Sequence, residues 1–101
     1  MDAQFQSHYS NLDKLLEHRS RFAICALLKR YDKIAFSRFK ELLKETDGNL
    51  GAQLRKLEDA GYIRVQKQFK DRRPISWYSL TSSGREAVQR HLQGLEALLT
   101  G

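Results

Sequence analysis

The chain is predicted to fold as an α+β domain: helices come first, two of them joined as a helix-turn-helix, then a β-hairpin, then a long closing helix. Three observations carry that prediction. Leu50, Leu54 and Leu57 recur at i, i+4 and i+7, which lays one apolar stripe along a helix. From Ile63 the apolar period drops to that of a half-buried strand. Val88, Leu92, Leu95 and Leu99 then return to helical, a/d-like spacing.

With 101 residues there is room for one domain with a modest core, small enough that an oligomer interface would add stability. A formal net charge of +6 favours a polyanionic partner or a membrane surface. No apolar run approaches a membrane span, and the start lacks the layout of a secretory signal, so the expected compartment is the cytoplasm. The lone cysteine, Cys25, cannot form an internal disulfide; among Ala23, Ile24, Ala26 and Leu27 it reads as a small buried apolar residue. His8, His18 and His91 are widely separated, so no metal or cofactor site is expected. The sequence carries no phosphate loop, nucleophile elbow or framed carboxylate pair, and no catalytic residue is assigned.

In order along the chain, residues 1–10 are polar with two aromatics, Phe5 and Tyr9, and read as a loose arm before a domain spanning 11–101. Asn11 is placed to cap a short helical segment holding Leu12, Leu15 and Leu16, and Ser20 to cap the next. In that next helix Ile24, Leu27, Leu28 and Tyr31 form the core stripe. After the breakers Asp32 and Lys33, Ile34, Ala35 and Phe36 suit a short strand. Ser37 is placed to cap a compact helix whose Phe39, Leu42 and Leu43 share a face. Glu45 and Thr46 leave only a tight turn before the following helix, and the pair is a helix-turn-helix.

That following helix, about residues 46–60, organises the chain. Thr46 can accept from the free amides of its first turn, Asp47 suits the positive end of its dipole, and Gly61 ends it. The face away from the leucine stripe carries Gly48, Asn49, Gly51, Ala52, Gln53, Arg55 and Lys56. Asn and Gln can pair bidentately with adenine in a major groove, while Arg and Lys can hold guanine or phosphate. Ordinary surface amides would look the same. Gly48 and Gly51 each weaken a helix interior by roughly 1 kcal/mol against alanine, a cost that fits close approach of another backbone.

In the hairpin, Ile63, Val65, Lys67 and Phe69 alternate with Arg64, Gln66, Gln68 and Lys70. Residues 71–74 supply the turn, and residues 75–80 the return strand. Lys67, Lys70, Arg72 and Arg73 make the tip basic, which suits phosphate contact and equally suits guarding a strand edge against aggregation. The last helix, about 82–100, starts at Thr81 or in a capping box of Ser83 and Glu86. Its seam of Val88, Leu92, Leu95 and Leu99 either folds back on the chain's own helices or pairs with a second copy, with Gly94 beside it for close approach.

Two composite motifs narrow the reading. The run from Leu57 to Tyr62, Leu-Glu-Asp-Ala-Gly-Tyr, and the run from Tyr78 to Arg85, Tyr-Ser-Leu-Thr-Ser-Ser-Gly-Arg, follow a Thr-Asp-Gly-Asn-Leu helix start at Thr46. With the helical stripes they cover nearly all of residues 12–99. On these residues the chain resembles winged-helix transcription regulators of the MarR and ArsR-like group, and within it the small single-domain DNA-binding members. The resemblance implies a winged helix-turn-helix with a two- or three-stranded wing sheet. It implies a homodimer on double-stranded DNA, one recognition helix per subunit in successive major grooves and the wings, residues 67–74, on flanking backbone. Position by position, Asn49, Gly51, Ala52 and Gln53 lie where such helices meet base edges, and Arg55 and Lys56 where they meet phosphates. Gly51 and Ala52 depart from the longer polar residues common there, which implies fewer bases read and more dependence on backbone and shape. Val88, Leu92, Leu95 and Leu99 would form the dimer interface. No residue is assigned to an effector site, and the small-molecule effector is unknown. The rival reading is a winged-helix module for protein contacts without sequence-specific DNA binding, because the fold alone does not fix function.

Overall fold

The computed structural model describes residues 2–100, so Met1 of the expected arm and Gly101 lie outside the described residues. Its elements run α1 (Ala3–Ser10), a 3₁₀ turn (Lys14–Glu17), α2 (Arg19–Arg30), β1 (Ile34–Ala35), α3 (Phe36–Leu43), α4 (Asp47–Asp59), β2 (Ile63–Lys70), β3 (Arg73–Leu80) and α5 (Ser82–Thr100). The helices and one antiparallel sheet, ordered β1-β3-β2, enclose a core of Leu16, Ile24, Cys25, Leu28, Ile34, Phe39, Leu50, Leu54, Leu57, Ile63, Leu80, Ala87 and Val88. Cys25 is fully covered, and burial pushes its thiol up to about 12.

At the N-terminus the structure departs from the expected loose arm. Residues 3–10 are helical, started by the Asp2 carboxylate, which accepts from the amides of Gln4 (2.9 Å) and Phe5 (3.2 Å). No side chain of α1 is buried, and the helix packs against α5. The missing apolar stripe is why a period search finds nothing there. Asn11 closes α1, and it is Asp13 that caps the next turn by accepting from the Leu15 amide. Likewise His18 rather than Ser20 caps α2, through Nδ1 and the Ser20 amide. Ile24 and Leu28 of the α2 stripe are buried, whereas Tyr31 has left the helix and is exposed.

The short strand β1 pairs with β3, Ile34 opposite Tyr78 and Ala35 opposite Trp77, so the sheet is three-stranded. Phe36 belongs to α3, which starts two residues earlier than a Ser37 cap requires and has no side-chain cap. Of its expected core face, Phe39 is buried and Leu42 exposed. Lys44, left-handed at φ 54°, ends α3 and makes the sharp turn into α4.

Thr46 caps α4 as expected, its Oγ1 accepting from the Asn49 amide at 3.1 Å, and Gly61, at φ +79°, ends it. The hairpin is longer than its sequence announced. β3 begins at Arg73, with Pro74 opposite Phe69, leaving a two-residue turn at Asp71 (φ 53°) and Arg72 (φ 65°). Pro74 is tolerated because β1 ends well short of it, so its missing N–H faces an unpaired edge.

Thr81 starts α5. Its hydroxyl oxygen accepts from the Gly84 amide at 3.0 Å and donates towards the Gly61 carbonyl at 2.6 Å, while its own amide donates to the Tyr62 carbonyl. The inward face of α5 is Gly84, Ala87, Val88, His91 and Gly94. Val88, expected at a dimer interface, is therefore a residue of the chain's own core. Leu92, Leu95 and Leu99 face outwards. Gly94 does serve close approach, to α1 of the same chain: a Cβ there would stand 3.1 Å from Leu12 Cδ2 and 3.3 Å from the His8 carbonyl.

Candidate nucleic-acid interface

The face of α4 that meets the core is set by Leu50, Gln53, Leu54 and Leu57, all buried. Opposite them stand Gly48, Ala52 and Arg55, with Gly51 and Lys56 on the flanks. A Cβ on Gly48 or on Gly51 would meet nothing within 4 Å. No neighbour inside the chain therefore requires these glycines, and they leave a strip of helix almost free of side chains.

Gln53 is not on that outward face. It is 7% exposed, and its Oε1 accepts from Arg21 Nη1 at 2.7 Å while its Nε2 donates to Asn49 Oδ1 at 3.2 Å. Asn49 in turn donates from Nδ2 to Glu45 Oε2 at 2.6 Å, and the other oxygen of Glu45 accepts from Ser20 Oγ at 2.6 Å. Arg21 completes the chain by donating from Nε to the Leu15 carbonyl at 2.6 Å. These bonds fasten α4 and the turn before it to α2. The Ser20 hydroxyl, then the Asn49 amide, hold the Glu45 carboxyl below its ordinary value. Bidentate pairing with adenine needs a free amide oxygen and a free amide N–H on the same side chain. In Gln53 both are engaged and covered, and the sequence assignment of this residue to base edges is corrected accordingly. Asn49 is half-buried and engaged at both ends of its amide.

Arg21, Ser20 and Glu45 were missed by the sequence reading. Arg21 and Ser20 lie 32 and 25 residues from their partners, so no local spacing marks them, whereas Glu45, Asn49 and Gln53 are successive i, i+4 neighbours whose coupling the spacing could have suggested.

The hairpin projects from the same side. Lys67, Lys70, Arg72 and Arg73 are exposed, with Asp71 the only acid between Arg64 and Arg73. The ion pairs among the described residues are Arg38 with Glu41 and Lys40 with Asp47, so neither these four cations nor Arg55 and Lys56 are engaged. Between α4 and the hairpin runs a groove lined by Phe36, Gly51, Arg55, Val65, Lys67 and Tyr78. Both turn residues are left-handed, as a type I′ turn requires, so the tip is a tight, defined loop. Among the described residues no three His, Cys, Asp or Glu side chains gather as a metal site, and no helix is long and apolar enough to cross a membrane.

A family model for the winged helix DNA-binding domain matches residues 20–99, from the start of α2 almost to the end of α5. The chain belongs to this family. The α3–α4 pair is its helix-turn-helix, and the β2–β3 hairpin is its wing. An uncharacterised protein of Methanocaldococcus jannaschii is 33% identical over 79 residues, 78% of this chain and 86% of that one. Among solved structures, the transcriptional regulator homologue protein from Pyrococcus horikoshii is 32% identical, with a TM-score of 0.78 and 84% of each chain covered. A MarR variant from E. coli, solved in complex with operator DNA, shares the winged-helix fold at a TM-score of 0.68 and 19% identity, over 89% of this chain and 66% of that one.

Proposed function

We propose that this winged-helix protein is a DNA-binding transcriptional regulator that works as a homodimer, with α4 in the major groove and the wing on the adjoining backbone. The observation that carries the reading is a set of exposed cations outside any ion pair among the described residues: Arg55 of α4 and Lys67 of the wing line the groove between them, with Glu58 its one acid, and Lys56 on α4 and Lys70, Arg72 and Arg73 at the wing tip add to them. Cations so placed can follow two neighbouring stretches of phosphate while the bare strip of α4 is pressed towards the bases. The fold is shared with a MarR variant solved in complex with operator DNA, which supports DNA as the partner.

Direct base reading falls to fewer side chains than the sequence suggested. With Gln53 covered and Asn49 engaged, Arg55 is the long polar side chain left on the outward strip. Gly48, Gly51 and Ala52 permit close seating and leave much of the discrimination to DNA shape.

The dimer is supported by apolar side chains that the single chain leaves uncovered. Phe5 and Tyr9 on α1 and Leu92, Leu95 and Leu99 on α5 are exposed in the single chain, on two helices packed together. A second copy would cover them and set two recognition helices about one helical turn of DNA apart. Selection of bound fragments from random duplex DNA, followed by sedimentation of the complex, tests the whole reading. Recovery of a two-fold symmetric sequence bound by two chains is expected; failure to retain any duplex at low salt would reject it.

A further inference from the structure

We propose that Phe69, with Pro74 across from it, is an apolar wedge that the wing drives between base steps of the minor groove, bending the DNA it binds. The inference rests on the DNA-binding role above.

Phe69 is 79% exposed, more than any other aromatic side chain among the described residues. Register fixes its direction. Cross-strand partners share a face, as do alternate residues along a strand. The pairs Ile63–Leu80, Val65–Tyr78, Lys67–Ser76 and Phe69–Pro74 therefore occupy one face of the ribbon. That face starts in the core at Ile63 and Leu80, runs past the α4 groove at Val65, Lys67 and Tyr78, and ends in solvent at Phe69 and Pro74. The wedge thus stands on the side of the recognition helix.

Charge complementarity names the occupant. Phe69 shares its face with Lys67; Lys70 and Arg73 pair on the opposite face of the ribbon, and Arg72 sits in the turn, with Asp71 the one acid at the tip. An aromatic ring makes no phosphate contact of its own, but cations on the two faces of the ribbon and in its turn can hold the phosphate walls of a groove while the ring meets what lies between them. The minor groove, about 6 Å wide, excludes a helix but takes side chains reaching in from a hairpin tip. The tip is also rigid enough to push: a two-residue turn, with Asp71 and Arg72 both left-handed, joins strands paired to their last residues, Lys70 and Arg73. Phe and Pro are among the side chains that unstack base steps when inserted from the minor groove, kinking the duplex by about 20–90°. Easily unstacked steps such as TA and CA would be favoured under the wing, giving discrimination at positions that α4 does not touch. A recognition helix with a bare outward strip has need of such a second source.

The test uses the full chain and a duplex recovered by selection from random DNA, with a donor and an acceptor dye on its ends and 2-aminopurine at the step protected by the wing. Wild-type protein should draw the dyes together and raise 2-aminopurine fluorescence, the signature of unstacking. Phe69→Ala should lose both signals and bind about tenfold more weakly, while Phe69→Trp keeps them. Lys70→Ala should weaken binding yet preserve bend and unstacking once bound. At 79% exposure Phe69 can be replaced without disturbing the core, which circular dichroism would verify. Bound DNA that stays straight, or that bends equally with Phe69→Ala, overturns the wedge and leaves DNA binding standing. Failure to recover any duplex overturns both.

Discussion

Arg21 Nη1 donates to Gln53 Oε1 at 2.7 Å and so ties α2 to the recognition helix across 32 residues of sequence. A side chain that looked like a reader of bases is instead a rivet between two helices. Its amide fixes how α4 sits on the body, and that placement is shared by every DNA sequence the helix meets.

Gln53→Ala should therefore act on stability. Removing a buried partner of a charged donor is expected to cost about 1–3 kcal/mol, read as a lower urea midpoint at unchanged slope. Affinity for preferred and for random DNA should fall by the same factor. A selective loss on preferred DNA would return Gln53 to base reading.

Two glycines should respond in opposite directions. A Cβ on Gly84 would overlap the Tyr62 carbonyl at the base of the wing, so Gly84→Ala is expected to destabilise by about 3 kcal/mol or more. Gly51 has open space around its Cα and sits in a helix, so Gly51→Ala should raise stability by roughly 0.5–1 kcal/mol. Thermal melts of the two variants check both signs.

Much of the fold was legible because burial writes periodicity: the stripe of Leu50, Leu54 and Leu57 and the alternation beginning at Ile63 each named an element. Where burial is absent the signal vanishes, as in α1, whose side chains are all outside the core. The turn was misjudged for another reason. A two-residue turn with both φ positive is usually announced by Asn-Gly, and Asp71-Arg72 does not announce it. Within the site, the wing cations could be read from composition. The attachment of Glu45 and Gln53 to Ser20 and Arg21 could not, since the i, i+4 run of Glu45, Asn49 and Gln53 looks like an ordinary surface row until its distant partners are in place.

For α5 the two leucine-stripe positions Val88 and Leu95 separate core from interface. Leu95 is 38% exposed and Val88 1% exposed. Leu95→Glu should give a folded monomer with weakened DNA binding, and Val88→Glu an unfolded chain. Sedimentation with circular dichroism distinguishes them; a wild-type protein that is monomeric at micromolar concentration would sink the dimer.

Salt should weaken binding steeply. Log affinity is expected to fall linearly with log salt, and the slope should lose about one unit for each of Arg55, Lys67, Lys70, Arg72 and Arg73 replaced by alanine that had met a phosphate. Equilibrium titrations across a range of potassium chloride measure it; a slope unchanged in all five variants would remove these side chains from the phosphate backbone.

Acid should loosen the joint between α2 and α4. The carboxyl of Glu45 is held below its ordinary 4.5 by the Ser20 hydroxyl and the Asn49 amide, so its folded value lies under its unfolded one. The stability it adds is present above that ordinary value and is lost as pH falls through the lower folded value. Glu45→Gln should accordingly flatten the pH dependence of stability below about pH 5, measured by urea unfolding. An acid limb as steep as the wild type's would show that the carboxylate contributes nothing there.

The docking of α1 on α5 has a consequence for how the chain is made. The bond from the Asp13 amide to His91 Nδ1 closes 78 residues of chain, whereas the Thr81 hydroxyl reaches the Tyr62 carbonyl across only 19. Closing the longer loop costs about 1 kcal/mol more in chain entropy. On a ribosome, α1 is thus placed late: the side of it that meets α5 waits until α5 has been synthesised, and the hairpin with the start of α5 can form as a local unit before α1 docks.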